Sequence, residues 1–187
     1  KVKIASSHKS VHFFKLHPSI KFIEPEFLRT NFSLLLYTIK IIIFLRKVIK
    51  KSGAKVVLSY NESLNPFTIL SCIGLQKKIY VRESMHPKAK LPLITDMLRR
   101  LLYPLSNGVL AQTNYGKLIL SFKIPFAKIY VLPNTVKMFN SQTQTKNNRI
   151  VSVGRLEDVK GHRFLIEAFA KTINNDWELH IVGNGSL

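Results

Sequence analysis

From residue 55 onward the chain alternates between runs short enough to be strands and stretches with helical periodicity, and few folds can use such an alternation. Residues 55–59, 78–82, 108–112 and 128–132 are apolar, rich in β-branched and aromatic side chains, and read as strands. Residues 66–73, 91–102 and 114–120 lie between them and read as helices, with Pro66 suited to a first turn. Strands separated by a helix cannot be hairpin partners, so the pattern predicts a parallel sheet covered by helices. A polar stretch, residues 141–148 (SQTQTKNN), breaks the rhythm and reads as a linker. Beyond it a strand over 150–153, a helix starting near Gly161 and a strand ending at Val182 begin a second unit of the same kind. The expected layout is an α/β domain over 1–140, the linker, and the start of a second α/β domain over 149–187.

Before residue 55 the signal is different. Residues 2–5 and 20–23 read as short strands, and residues 32–49 form the longest apolar stretch. Lys40 in its middle, with Arg46 and Lys47 after it, argues against a membrane span. As a helix it would place Ser33, Tyr37, Lys40, Phe44, Lys47 and Lys51 on one narrow face and Leu34, Leu35, Ile39, Ile42, Ile43, Leu45 and Ile49 on a wide buried side. The narrow face is either a solvated lysine stripe or one that meets anionic headgroups with Tyr37 and Phe44 at the interface.

The chain carries 29 Lys and Arg against 10 Asp and Glu, a net charge of +19. Such an excess calls for an anionic partner: a lipid surface, a nucleic acid or a phosphorylated substrate. No zinc-ligand spacing, helix-turn-helix signature or RNA-binding aromatic motif is present, so no specific nucleic-acid partner is expected. One cysteine, Cys72, rules out an intrachain disulfide. At 46% hydrophobic residues the chain can bury a core.

The stretch richest in chemistry is Val153-Gly154-Arg155-Leu156-Glu157-Asp158-Val159-Lys160-Gly161, between a strand and a helix start. Unpaired N–H groups and the dipole at a helix N-terminus favour anions. Arg155 adds a guanidinium able to bind two oxygens and Lys160 a mobile point charge, so the turn suits a diphosphate. Asp158 is expected to cap the helix.

Gly-Arg-Leu-x-x-x-Lys-Gly, followed by Leu165-Ile166-Glu167-Ala168-Phe169 and Leu179-His180-Ile181-Val182-Gly183-Asn184-Gly185, resembles the opening of the C-terminal domain of retaining glycosyltransferases of family 4, enzymes of the GT-B fold. The resemblance implies two Rossmann-like domains with parallel sheets, an acceptor bound mainly by the first and a nucleotide sugar by the second. It implies that Arg155 and Lys160 contact the donor diphosphate and stabilise the leaving group, with Gly154, Gly183 and Gly185 completing the donor site. It implies a hexose moved with retention from a UDP- or GDP-sugar to a hydroxyl, in polysaccharide or glycolipid synthesis. The family's first strand and Gly-rich loop are not evident, and its Glu-x7-Glu motif would fall past Leu187. The expectation is therefore a fragment cut at both ends and inactive by itself. No Asp-x-Asp pair occurs, which fits an enzyme needing no metal and no other cofactor.

Arg82, Glu83 and His86 follow a strand, at the edge where α/β proteins place ligands. They would face the sugar or acceptor, or Arg82 and Glu83 would pair for structure. Pro133 and Asn134, with Thr135 where the family has Gly, resemble the element closing its N-terminal domain and form the expected hinge. The stripe on the long helix, with Lys88, Lys90, Arg99 and Arg100, suggests a lipid-linked glycan acceptor at an anionic membrane, and a cytoplasmic protein peripheral at its inner face. The rival reading is a non-catalytic membrane- or partner-binding module on the same fold.

Overall fold

A computed structural model describes residues 2–8, 15–136, 148–172 and 176–186. They fall into two compact units, Lys1–Val136 and Lys137–Leu187. The expected linker lies outside the described residues except for Asn148, whose carbonyl accepts from the Glu178 N–H at 2.9 Å.

The first unit opens with a parallel pair, β1 (Lys3–Ala5) and β2 (Lys21–Ile23). Helix α1 (Leu34–Ser52) starts where the Ser33 hydroxyl accepts from the Leu36 N–H, and ends at Gly53. Next come β3 (Val56–Tyr60), α2 (Asn65–Cys72), β4 (Lys78–Arg82), α3 (Leu93–Leu102), β5 (Gly108–Ala111), α4 (Asn114–Lys123) and β6 (Ile129–Val131). The four strands β3 to β6 pair in sequence order, all parallel, as the alternation required. Val57, Ser59, Ile79, Val81, Val109 and Ala111 point to one face. There they meet Ile69 and Cys72 of α2, Leu102 of α3, Tyr103, Leu120 of α4 and Ile124. On the opposite face Val56, Leu58, Tyr60 and Tyr130 are exposed.

Helix α1 corrects the sequence-based reading. Only Ile41, Leu45 and Ile49 are buried, while Leu34, Leu35, Leu36, Ile39 and Ile43 are exposed. Tyr37 and Phe44, which one of the two readings of the stripe set at a headgroup interface, turn edge-on to Phe27 at 5.8 and 6.3 Å between ring centroids. The Tyr37 hydroxyl donates to the Ser7 carbonyl at 2.7 Å. Lys40 lies 4.2 Å from the Phe32 ring centroid. An apolar side chain is buried only where a neighbour covers it, and α2 meets α1 along one side.

In the second unit β7 (Arg149–Val153) and β8 (Glu178–Val182) are parallel and joined through α5 (His162–Lys171). This is a βαβ unit, the element predicted for the second domain.

Candidate functional site

Each unit carries a group of polar side chains at the C-terminal ends of its strands. In the second unit the loop after β7 is fixed by its own backbone. The Gly154 N–H donates to Val182 O and the Leu156 N–H to Asn184 O, both at 3.0 Å, so the loop runs on beside the segment after β8. This contact explains two glycines. A Cβ on Gly183 would fall 1.8 Å from Gly154 O, and one on Gly185 would fall 2.1 Å from Leu156 O. Their close approach is to the chain itself. A Cβ on Gly154 would meet nothing nearer than 3.8 Å.

Asp158 does not cap α5. Residues Asp158–Lys160 form a 3-10 turn, and α5 starts from Gly161 at φ 68°, with no side-chain cap. The chain must reverse between the turn and the helix, and only a left-handed residue does so, a conformation glycine adopts without strain. The loop also rests on a residue the sequence reading passed over. His162 is buried, and its Nε2 lies 3.0 Å from Arg155 O. A lone His at a helix start carries no distinctive signal in sequence; its role depends on the loop folding back over it.

Arg155 and Lys160 are exposed on this loop. The Arg155 guanidinium pairs with Glu157 at 2.8 Å, and its side chain remains 67% accessible. The Lys160 stem lies beside Gly154. The arrangement is a hydrogen-bonded backbone bearing two exposed cations, Arg155 paired with Glu157, next to a helix start. It can bind an anion with several oxygens, exchanging the Glu157 contact for the ligand.

In the first unit Arg82, Glu83 and His86 have different fates. Arg82 is buried, and its Nη2 donates to Asn134 Oδ1 at 2.5 Å. Glu83 is buried too, accepting from the Tyr103 hydroxyl at 2.7 Å and from Arg99 Nη1 at 3.3 Å. The two are held by separate partners and not by each other. Burial pushes the Glu83 carboxyl above the usual carboxylate range, against the opposing pull of Tyr103 and Arg99. Burial and the neighbouring Glu83 likewise push the Tyr103 phenol up. Arg99, expected on a basic outer face, is instead buried, bonded to Glu83 and Asp96.

His86 alone of the three is exposed, at a cavity of about 270 Å³ that Gln112, Thr113 and Tyr115 also line. The loop carrying it is pinned by buried Glu62, whose Oε1 accepts from the N–H groups of Ser84 and Met85 at 2.5 and 2.7 Å. Asn134 and Gln112 complete the frame. Asn134 Nδ2 donates to Gln112 Oε1 at 3.1 Å, and Gln112 Nε2 donates to the Ser84 carbonyl at 3.0 Å. Asn134 thus ties the ends of β4, β5 and β6 together, while Pro133 beside it is exposed. Glu62, Gln112 and Tyr103 were not legible as parts of this site, because each reaches it from a different element. The first unit also has a larger open groove of about 690 Å³, between the β1–β2 pair and α1.

Residues 112–187 match the sequence model of the glycosyl transferases group 1. The whole chain is similar, at 25% identity, to the Campylobacter jejuni GalNAc-alpha-(1->4)-GalNAc-alpha-(1->3)-diNAcBac-PP-undecaprenol alpha-1,4-N-acetyl-D-galactosaminyltransferase, covering 54% of that protein. A second Campylobacter jejuni protein, N-acetylgalactosamine-N,N'-diacetylbacillosaminyl-diphospho-undecaprenol 4-alpha-N-acetylgalactosaminyltransferase, is 33% identical over 51% of the chain and 28% of its own length. Among solved structures, the apo form of the lipopolysaccharide outer core galactosyltransferase WaaB superposes with a TM-score of 0.62, at 19% identity, over 90% of this chain and 47% of WaaB. The chain spans about half the length of WaaB and of the first relative. The architecture is α/β with parallel sheets and matches part of the GT-B fold. Among the described residues no helix is long and apolar enough to cross a membrane.

Proposed function

We propose that this chain belongs to a retaining glycosyltransferase of family 4 that moves a hexose from a UDP- or GDP-sugar to a hydroxyl of a lipid-linked glycan. The observation carrying this reading is the loop after β7, with Arg155 and Lys160 exposed on a backbone fixed by β8. Departure of a nucleoside diphosphate builds negative charge on phosphate oxygens. Cations already in position stabilise that charge as it forms, each contributing about 10²–10³ in rate. Arg155 binds two oxygens in its plane and Lys160 supplies a point charge, so no metal is required for the step. His86, at the cavity after β4, offers a hydrogen bond to a sugar or acceptor hydroxyl, and Glu62 and Asn134 hold its surroundings. The names of both Campylobacter jejuni relatives specify undecaprenol-linked diphosphate substrates, which supports a membrane-linked acceptor here. The net charge of +19 supports a peripheral position at an anionic inner membrane face.

The test is nucleoside diphosphate release by the full-length protein from a panel of UDP-, GDP- and ADP-sugars, with isolated bacterial membranes as acceptor source. Release from one donor, lost in Arg155→Ala and in Lys160→Ala, is the expected result. A folded wild-type protein that releases nothing from any donor overturns the reading and favours the non-catalytic module.

A further inference from the structure

Helix α3 turns apolar residues outward as well as inward. Its inward side holds Leu102 in the core, Leu98 packed against that core, and Arg99, which is 3% exposed and meets Glu83 and Asp96. Four further apolar residues face outward, Leu93, Ile94, Met97 and Leu101, at 84, 69, 59 and 67% exposure. Their spacing of one, three and four residues puts them on one continuous stripe. A surface helix in water turns mainly polar residues outward, so this stripe suits an apolar surrounding.

The flanks of the stripe are basic. Lys88 and Lys90 are exposed in the segment leading into α3, and Arg100 lies on the helix with its side chain 59% accessible. Asp96, the one acid between Glu83 and Glu157, is bonded to Arg99 and Arg100. The lead-in segment also joins α3 to a second apolar stripe. Lys88 Nζ is 5.7 Å from the Tyr115 ring centroid, and Lys123 Nζ donates to the Pro87 carbonyl at 2.7 Å. Tyr115, Leu118 and Phe122 of α4 are exposed at 47, 53 and 78%.

We infer that the outward face of α3, with the lysine segment before it and the exposed stripe of α4, is the surface that docks on an anionic phospholipid bilayer. Leu93, Ile94, Met97 and Leu101 enter the boundary between headgroups and acyl chains, and Lys88, Lys90 and Arg100 meet the phosphates. Charge decides between occupants. A second copy would set this acid-poor surface against itself, like charge on like, whereas an anionic bilayer complements it. A nucleic acid would leave the apolar stripe in water. The inference rests on the reading of a membrane-linked acceptor.

The test uses the full-length protein and flotation with phosphatidylcholine vesicles, with and without phosphatidylglycerol. Wild type is compared with Leu93→Gln/Ile94→Gln/Met97→Gln and with Lys88→Gln/Lys90→Gln, each checked by circular dichroism. The triple variant is expected to bind anionic vesicles about tenfold more weakly or worse. The lysine variant is expected to show a smaller preference for phosphatidylglycerol and a weaker salt dependence than wild type. A triple variant that floats like wild type overturns the proposal. So does light scattering that shows a wild-type dimer dissociated by the triple substitution. Donor turnover is measured on the same preparations. Turnover without vesicle binding by wild type sinks the docking surface and leaves the transferase; binding that depends on α3 without turnover does the reverse.

Discussion

Replacing Tyr103 by Phe removes one oxygen from a fully buried ring and tests the network beneath the first unit's site. That oxygen donates to Glu83 at 2.7 Å and accepts from Asn65 Nδ2 at 2.9 Å. Asn65 Nδ2 keeps its bond to the Arg82 carbonyl, so the main loss falls on Glu83. A hydrogen bond to an ionised carboxylate contributes about 1.5–3 kcal/mol and one to a neutral carboxyl about 0.5–1.5 kcal/mol. The cost therefore depends on pH. Burial raises the folded-state pKa of Glu83 above its unfolded value, so the folded state holds the proton more tightly. The stability this group contributes is fully present below the unfolded pKa and is lost as pH rises through the folded one. Without the Tyr103 hydroxyl the folded pKa rises further, and the gap between wild type and variant widens across that window. Urea unfolding followed by far-UV circular dichroism is the assay, since α1 to α4 all lie in the first unit. With a slope of about 2 kcal/mol per molar urea, the midpoint should fall by about 1 M near pH 8 and by about half that near pH 4. Equal shifts at both pH values would refute the reasoning that the Glu83 carboxyl changes its charge between them while accepting from Tyr103.

Gly183→Ala should destabilise the second unit by about 3 kcal/mol, because its Cβ would strike Gly154 O, whereas Gly154→Ala should cost less than about 1 kcal/mol. Fluorescence of Trp177, next to β8, reads both. Asn134→Ala leaves the buried Arg82 guanidinium short of a partner and should cost about 1–3 kcal/mol in the same urea assay as Tyr103→Phe; an unchanged midpoint would show that the β4–β6 clamp is incidental. Cys72 is buried with its thiol pushed up to about 11, chiefly by burial. Its reaction with a disulfide reagent near pH 8 should run at least about a hundredfold slower than that of a free thiol and accelerate only when the first unit unfolds. Reaction at the free-thiol rate would show that the packing of α2 against the sheet is wrong.

Local pattern determined much of this protein. The strand–helix alternation required parallel pairing, and β3 to β6 and β7–β8 pair in parallel, because a helix-length connection leaves no other short route. The Gly-Arg-Leu-x-x-x-Lys-Gly segment was legible as a loop between a strand and a helix for the same reason: its glycines and the periodic runs on either side are local signals. Burial was not legible. The apolar residues of α1 at 34, 35, 39 and 43 read as core and are exposed, and Arg99 reads as surface and is buried. The inward face of a helix is set by which neighbours arrive, and those neighbours come from remote parts of the chain. Tyr103, Asn65 and Glu83 meet across separations of 20 and 38 residues, and Arg82 meets Asn134 across 52. No periodicity in a sequence encodes such meetings. Sequence alone set the order of elements and the cations of the loop after β7. The tertiary structure alone decided which polar groups became the buried frame and which apolar ones stayed in water, because desolvation depends on everything within a few ångströms and not on position along the chain.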